Sequence, residues 1–224
     1  MLHPLVRTAA ATGAAYLLGA IPSADIAGRL ATRGTVDVRT EGSGNPGALN
    51  VGTVIGPKWG VAVMVADIAK GFAACRLAGR AAGPTAMQLA GSAAVAGHCH
   101  PVWTGFRGGK GVATSVGQVL ATFPAYFPLD FAVAAASVAS PWFKERARAS
   151  MTISSTVWVA SSAIWWRRQL PNAWGPRPTA ALPVASAISA ALILNRFRQE
   201  SGPGNSGPGN RGTGEAGAGE GSPS

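Results

Sequence analysis

The chain has 224 residues, 47% of them hydrophobic and 12% charged, with 30 glycines. That is too apolar for an ordinary soluble domain and too poor in charge for a disordered one, so the composition points to a membrane protein. A net charge of +10 suits a nucleic-acid binder only if the cations share a face, and the 19 Lys and Arg are strung between apolar blocks instead.

A helical span needs ~20 mostly apolar residues. In chain order the candidates are 8–28, 53–77, 84–103, 110–123, 125–142, 151–168 and 179–195. The predicted fold is an all-α integral membrane protein of about seven transmembrane helices with glycine-rich cytoplasmic loops. The fourth and fifth are short and crowded around Phe123-Pro124 and Phe127-Pro128, which leaves five or six spans as the alternative count. The first segment begins like a signal peptide, with Arg7 before an Ala-rich stretch, but it runs past Ile21-Pro22 without a clear A-x-A site and reads as a span.

With the amino terminus outside, one side collects Arg29, Arg33, Arg39, Arg107, Lys110, Lys144, Arg146, Arg148, Arg196 and Arg198. The other holds Arg76, Arg80, Arg167, Arg168 and Arg177, so the positive-inside rule makes the first side cytoplasmic.

The loop after the first span reads "VDVRTEGSGNPGALN", Val36 to Asn50. Gly alternating with Ser and Asn lets the backbone turn through positive φ and aim successive N–H groups at one point, so Gly42, Ser43, Gly44 and Asn45 form a candidate anion nest. A glycine-rich connector at the membrane surface is the alternative. Within the second span Asp67 and Lys70 stand at i, i+3 and predict an ion pair on one helical face.

The third span ends in Gly97-His98-Cys99-His100, and "GFRGGKGVAT" follows at 105–114. A nucleotide P-loop would need Gly at Thr104 and Ser or Thr at Gly111, so no nucleotide is expected. What remains is a metal-free phosphate cradle, with free N–H groups from Gly109 to Val112 at a helix start and the charge of Lys110. His98 and His100 are two apart and point to different faces of a helix, which excludes a shared metal, and an H-x-x-x-x-D acyltransferase motif is absent. If a histidine acts it is His98, and a packed hydrogen-bonding residue is the alternative reading of that position. Cys75 and Cys99 lie in apolar stretches and suggest neither a disulfide framework nor a zinc site. From Ser201 the chain repeats "SGPGN" and stays rich in Gly, Ser and Pro, so residues 1–200 read as the membrane domain and 201–224 as a disordered cytoplasmic tail.

Together these stretches resemble the bacterial acyl-phosphate:glycerol-3-phosphate acyltransferases of the PlsY type. The resemblance runs from "YLLGAIPSADIAGRL" at Tyr16 through the 36–50 loop and "VADIAKG" to "GHCHPVWTGFRGGKGVATSVG", and more weakly to Phe197. It implies an integral enzyme of the bacterial cell membrane, active at the cytoplasmic face, that moves an acyl group from acyl phosphate to the 1-hydroxyl of sn-glycerol 3-phosphate, yielding lysophosphatidate and phosphate. It implies no cofactor, no metal and no nucleic-acid partner, and membrane lipids as surroundings.

By carry-over of motifs, Ser43, Asn45 and His98 become the catalytic candidates, and Gly42, Gly44, Asn50, Gly108, Gly109, Lys110, Gly111 and Asn195 the substrate-binding ones. Two positions depart from the family pattern: Thr53 stands where an arginine is usual, and Leu192 where "LILNRFR" should carry a histidine. A non-catalytic relative that binds acyl phosphate or lipid headgroups is the alternative those departures raise. A small transporter is a third reading; it explains the spans but not two glycine-rich polar loops on one side.

Overall fold

The computed structural model describes residues 3–139 and 147–200, and within these it is all helix, turn and loop. Lys144, Arg146 and the 201–224 tail fall outside the described residues. Helix α1 (Pro4–Gly19) ends at a corner, and α2 (Ser23–Thr32) leaves it in a new direction. The sequence expectation of one continuous 8–28 span is therefore corrected. Pro22 lacks an N–H and disfavours helix in the residue before it, so Ile21-Pro22-Ser23 starts a second helix with Asp25 in its first turn.

Short α3 (Ala48–Val54) follows the first loop. The centre of the molecule is α4 (Pro57–Cys99), two arms that meet at Gly83, whose φ of +85° suits glycine, with Pro84 opening the second arm. The arms fold back on each other: Gly79 faces Met87, and Ala74 and Ala78 share an apolar cluster with Ala90 and Ala94. They correspond to the expected 53–77 and 84–103 segments. A 3₁₀ turn at Val102–Thr104 leads to α5 (Val112–Thr122), and then come α6 (Phe127–Ala139), α7 (Ala147–Arg168) and α8 (Ala181–Glu200).

Glycine sets how closely these helices approach. A Cβ on Gly117 would overlap the carbonyl oxygen of Ile68, and one on Gly71 that of Thr114, so α5 lies almost backbone to backbone on the first arm of α4. Small residues at helix crossings are the usual device where water cannot drive packing.

Among the described residues, no helix is long and apolar enough to cross a membrane by itself. The physical reason lies in length and composition: α1 and α5 have 16 and 11 residues, and the first arm of α4 carries Lys58, Asp67, Lys70, Arg76 and Arg80 among alanines and glycines. The side chains are nonetheless distributed inside out. Val61, Met64, Val65, Phe72, Leu77, Ile153, Val184 and Ile188 are exposed, whereas Gln88, Ser92, Gln118 and Ser189 are buried. Ser189 Oγ donates to Gln118 Oε1 at 2.8 Å, and Ser92 Oγ donates to the Ala185 carbonyl at 2.7 Å, which binds α8 to the second arm of α4 and to α5.

Candidate functional site

A cleft opens where the α1–α2 corner, the first glycine loop, both arms of α4 and the second glycine loop meet; Ser23, Arg39, Asp67, Lys70, His98 and Gly109 are among its walls. Two cations enter it already oriented. Arg39 forms a fork with Asp25, Nε to Oδ1 at 2.6 Å and Nη2 to Oδ2 at 2.7 Å, and its Nη1 donates to the Arg107 carbonyl at 2.5 Å. Lys70 donates to the Ile21 carbonyl at 2.9 Å, and its Nζ forms an ion pair with Asp67 Oδ1 at 2.9 Å.

The donor count then matters. A guanidinium has five N–H and an ammonium three, so beyond these partners Arg39 keeps two and Lys70 keeps one for an anion. His98 is buried at 8% exposure, with Nδ1 3.6 Å from the same Asp67 oxygen and its Nε2 edge against Gly109. The expected Asp67–Lys70 pair is present, and it faces the cleft. Ser23 is the first residue of α2, so the positive end of that helix dipole also points into the site.

Neither glycine loop presents the open row of N–H groups that its sequence suggested. In the first, the N–H of Ser43 donates to Asn50 Oδ1 at 2.8 Å, that of Gly44 to the Glu41 carbonyl at 3.0 Å, and that of Gly47 to the Asn45 carbonyl at 2.8 Å. Asn50 is buried and closes the loop, donating from Nδ2 to the Val38 carbonyl at 2.8 Å and the Glu41 carbonyl at 3.1 Å. Gly42 and Gly44 supply φ of +60° and +69° for these turns. Ser43 is exposed and its Oγ accepts from the Asn45 N–H at 3.4 Å, while Asn45 Oδ1 is buried without a hydrogen-bond partner.

In the second loop, the N–H of Gly108 donates to the Cys99 carbonyl at 3.1 Å and that of Gly109 to the His98 carbonyl at 3.2 Å. The expected free N–H at Gly109 is thus taken up by the last turn of α4. Arg196 reaches across from α8 and donates Nη2 to the Gly108 carbonyl at 2.5 Å and Nε to the Gly109 carbonyl at 3.2 Å. Lys110 Nζ sits 4.8 Å from the centre of the Phe197 ring, and Gly111 caps α5 at φ +84°. His100, just past the end of α4, is pushed below the ordinary histidine range by burial and by the charge of Arg196.

The structure therefore gathers His98, Gly108 and Gly109 at the cleft, assigns Asn50 to the frame of the loop, and leaves Asn195 exposed on α8. It also explains the two departures locally. Leu192 packs with Val95, Cys99 and Ile193, and Thr53 is exposed, its hydroxyl donating to the Leu49 carbonyl at 3.0 Å within α3. Sequence reasoning missed Ser23 and the orientation of Arg39. Pro22-Ser23 with Asp25 behind it was the available signal, a helix start inside what looked like one span.

The profile of the glycerol-3-phosphate acyltransferase family matches residues 9–203. A glycerol-3-phosphate acyltransferase of Desulfotalea psychrophila is 45% identical over 128 residues, 55% of this chain and 64% of that protein. Glycerol-3-phosphate acyltransferase 4 of Dehalococcoides mccartyi is 50% identical over 107 residues, 47% of this chain and 56% of the relative. The matched region thus spans a little under two thirds of these curated relatives. The crystal structure of PlsY, an integral membrane glycerol 3-phosphate acyltransferase, in its glycerol 3-phosphate form superposes with a TM-score of 0.67 at 30% identity, covering 86% of this chain and 88% of that one. Its lysophosphatidic acid form gives 0.64 at 29% identity over the same shares. Both the aligned motifs and the helical framework that carries the cleft place this chain in the glycerol-3-phosphate acyltransferase family.

Proposed function

We propose that the protein transfers an acyl group from acyl phosphate to the 1-hydroxyl of sn-glycerol 3-phosphate. The observation that carries this reading is the cleft itself, where Arg39, Lys70 and the start of α2 converge beside His98 with donors to spare. The hydroxyl oxygen attacks the acyl carbon, the bond from that carbon to the phosphate oxygen breaks, and the products are lysophosphatidate and inorganic phosphate. The hydroxyl proton goes to a substrate phosphate oxygen. Because an acyl phosphate is already activated, alignment and screening of two anionic phosphates contribute more than a strong protein nucleophile would.

In this reading Arg39, Lys70 and the α2 start hold one phosphate, and the face of Gly108, Gly109 and Lys110 lies beside the other. Of the first loop, Arg39 and Pro46 line the cleft, and Ser43 and Asn45 precede Pro46 in the chain. His98 and Asp67 position Lys70 and the floor of the cleft.

The site lies in a membrane. Apolar side chains outside and a hydrogen-bonded polar seam inside support that placement, as does the likeness to an integral membrane enzyme. We read α1, the two arms of α4, α5, α6, α7 and α8 as spans that cross together, each covered by its neighbours, with the cleft on the cytoplasmic side. Arg39, Arg107 and Arg196 meet there, and Arg76 and Arg80 lie toward the far turn at Gly83.

The test is direct. Purified protein in detergent, given palmitoyl phosphate and glycerol 3-phosphate, is expected to release phosphate and form lysophosphatidate in equal amounts. No product above a Lys70→Ala control sinks the enzyme reading, and product that depends on acyl-CoA corrects the donor.

A further inference from the structure

We propose that Asp25 is a positioning residue for the reaction: it holds the Arg39 guanidinium at the angle from which that cation takes a phosphate, without touching substrate itself. The proposal rests on the acyltransferase reading above and names what sets the affinity of the Arg39–Lys70 subsite.

The two residues differ in where they stand. Ser23, Ala24 and Arg39 line the cleft, whereas Asp25, next in the chain, does not. Its carboxylate backs the guanidinium, accepting from Nε at 2.6 Å and from one N–H of Nη2 at 2.7 Å, while the Arg107 carbonyl accepts from one N–H of Nη1 at 2.5 Å. The Arg39 backbone is fixed as well, its N–H donating to Asp37 Oδ1 at 2.9 Å. One N–H then remains on each Nη, a pair that matches two oxygens of one phosphate.

Charge and geometry make opposite claims on this residue. A carboxylate near an anion site weakens it, so on charge alone removal of Asp25 tightens phosphate binding. That charge is already paired at contact distance and stands outside the cleft wall, so little of it reaches a bound phosphate. Loss of the fork is the larger effect. Among the described residues no other carboxylate pairs with the Arg39 guanidinium, and a released arginine side chain rotates about several bonds and must be ordered again at binding. The pair is partly exposed, at 23% and 20%, so it contributes little to folding and its loss is readable as function.

The test uses full-length protein in detergent. Arg39→Ala identifies the substrate whose KM depends on this subsite. Asp25→Asn keeps the side-chain shape but loses the charge and the second acceptor. It is expected to raise the same KM about tenfold and to leave kcat within about threefold, because the grip lost is the same before and during the reaction. In the Arg39→Ala background the same change should add less than about twofold, since nothing remains for Asp25 to hold. A KM that is unchanged or lower in Asp25→Asn overturns the proposal. So does an Asp25→Asn effect that persists undiminished without Arg39, or one confined to kcat with a lowered Tm, which would mark a purely structural residue.

Calorimetric binding of inorganic phosphate to the same four proteins separates this failure from that of the acyltransferase reading. Wild-type protein without turnover refutes the activity, yet phosphate bound about tenfold more weakly by Asp25→Asn, with no further loss in the Arg39→Ala background, still upholds the role of Asp25. Wild-type protein that binds no phosphate refutes the subsite and the proposal with it.

Discussion

The glycine loop of residues 37–47 is closed by Asn50, a side chain only a few residues away, whereas that of residues 105–111 is held by carbonyls at the end of α4 and by Arg196 from α8. The turns of the first loop are closed by its neighbour Asn50, and Arg39 ties the loop to Asp25 of α2 and to the Arg107 carbonyl. The second exists only once α4, α5 and α8 have assembled. Similar composition thus gives one loop whose turns are closed mainly from α3 and one whose shape depends on α4 and α8, and substitutions should separate the two.

The largest effect is expected at Gly108. A Cβ there overlaps the carbonyl oxygens of His98 and Cys99, which are backbone atoms at a helix end and have little room to yield. Gly108→Ala is expected to cost about 3 kcal/mol or more and to abolish turnover, read by thermal unfolding and phosphate release. Wild-type stability would show that the loop is looser than its hydrogen bonds imply. Asn50→Ala comes next: it removes three hydrogen bonds and leaves the buried side of the first loop unsatisfied, for a loss of about 2 to 3 kcal/mol. Asn50→Asp keeps the acceptor for Ser43 but not the donors, and should recover only part of that loss.

Arg196→Ala sharpens the contrast. It removes the charged donors to Gly108 and Gly109 without touching the first loop, and a charge-assisted contact of this kind is worth about 1.5 to 3 kcal/mol. Activity should fall about tenfold, with hydrogen exchange rising at 105–111 and unchanged at 37–47. Arg196→Lys should rescue little, since a point charge cannot make the two-carbonyl fork.

The sequence was most legible where chemistry is local. The turn residues Gly42 and Gly44, the i, i+3 spacing of Asp67 and Lys70, and the helix start after Gly111 all follow from rules that act over a few residues, and each is present. What it hid is long-range. The Arg196 contacts to the Gly108 and Gly109 carbonyls, and the fork from Arg39 to Asp25, depend on how α8 and α2 pack beside the loops, and composition is silent on that. Hydropathy misled at Ile21-Pro22, because an apolar run continues across a corner that the backbone turns.

The two departures from the family pattern test the same distinction at smaller scale. Leu192 lies among Val95, Cys99 and Ile193, so Leu192→His places an imidazole in apolar contact and should cost about 1 to 3 kcal/mol with no gain in kcat.

Thr53→Arg is the mildest change. Thr53 is exposed on α3, and its hydroxyl donates to the Leu49 carbonyl one turn back, an interaction that helices tolerate losing. Arginine has the higher helix propensity, so stability should stay within about 0.5 kcal/mol of wild type. Its long side chain extends from α3, the helix whose Asn50 closes the first loop. A lower KM for glycerol 3-phosphate at constant kcat would mean that the first loop borders the glycerol phosphate; an unchanged KM would assign that substrate to the α2 start and Lys70 alone.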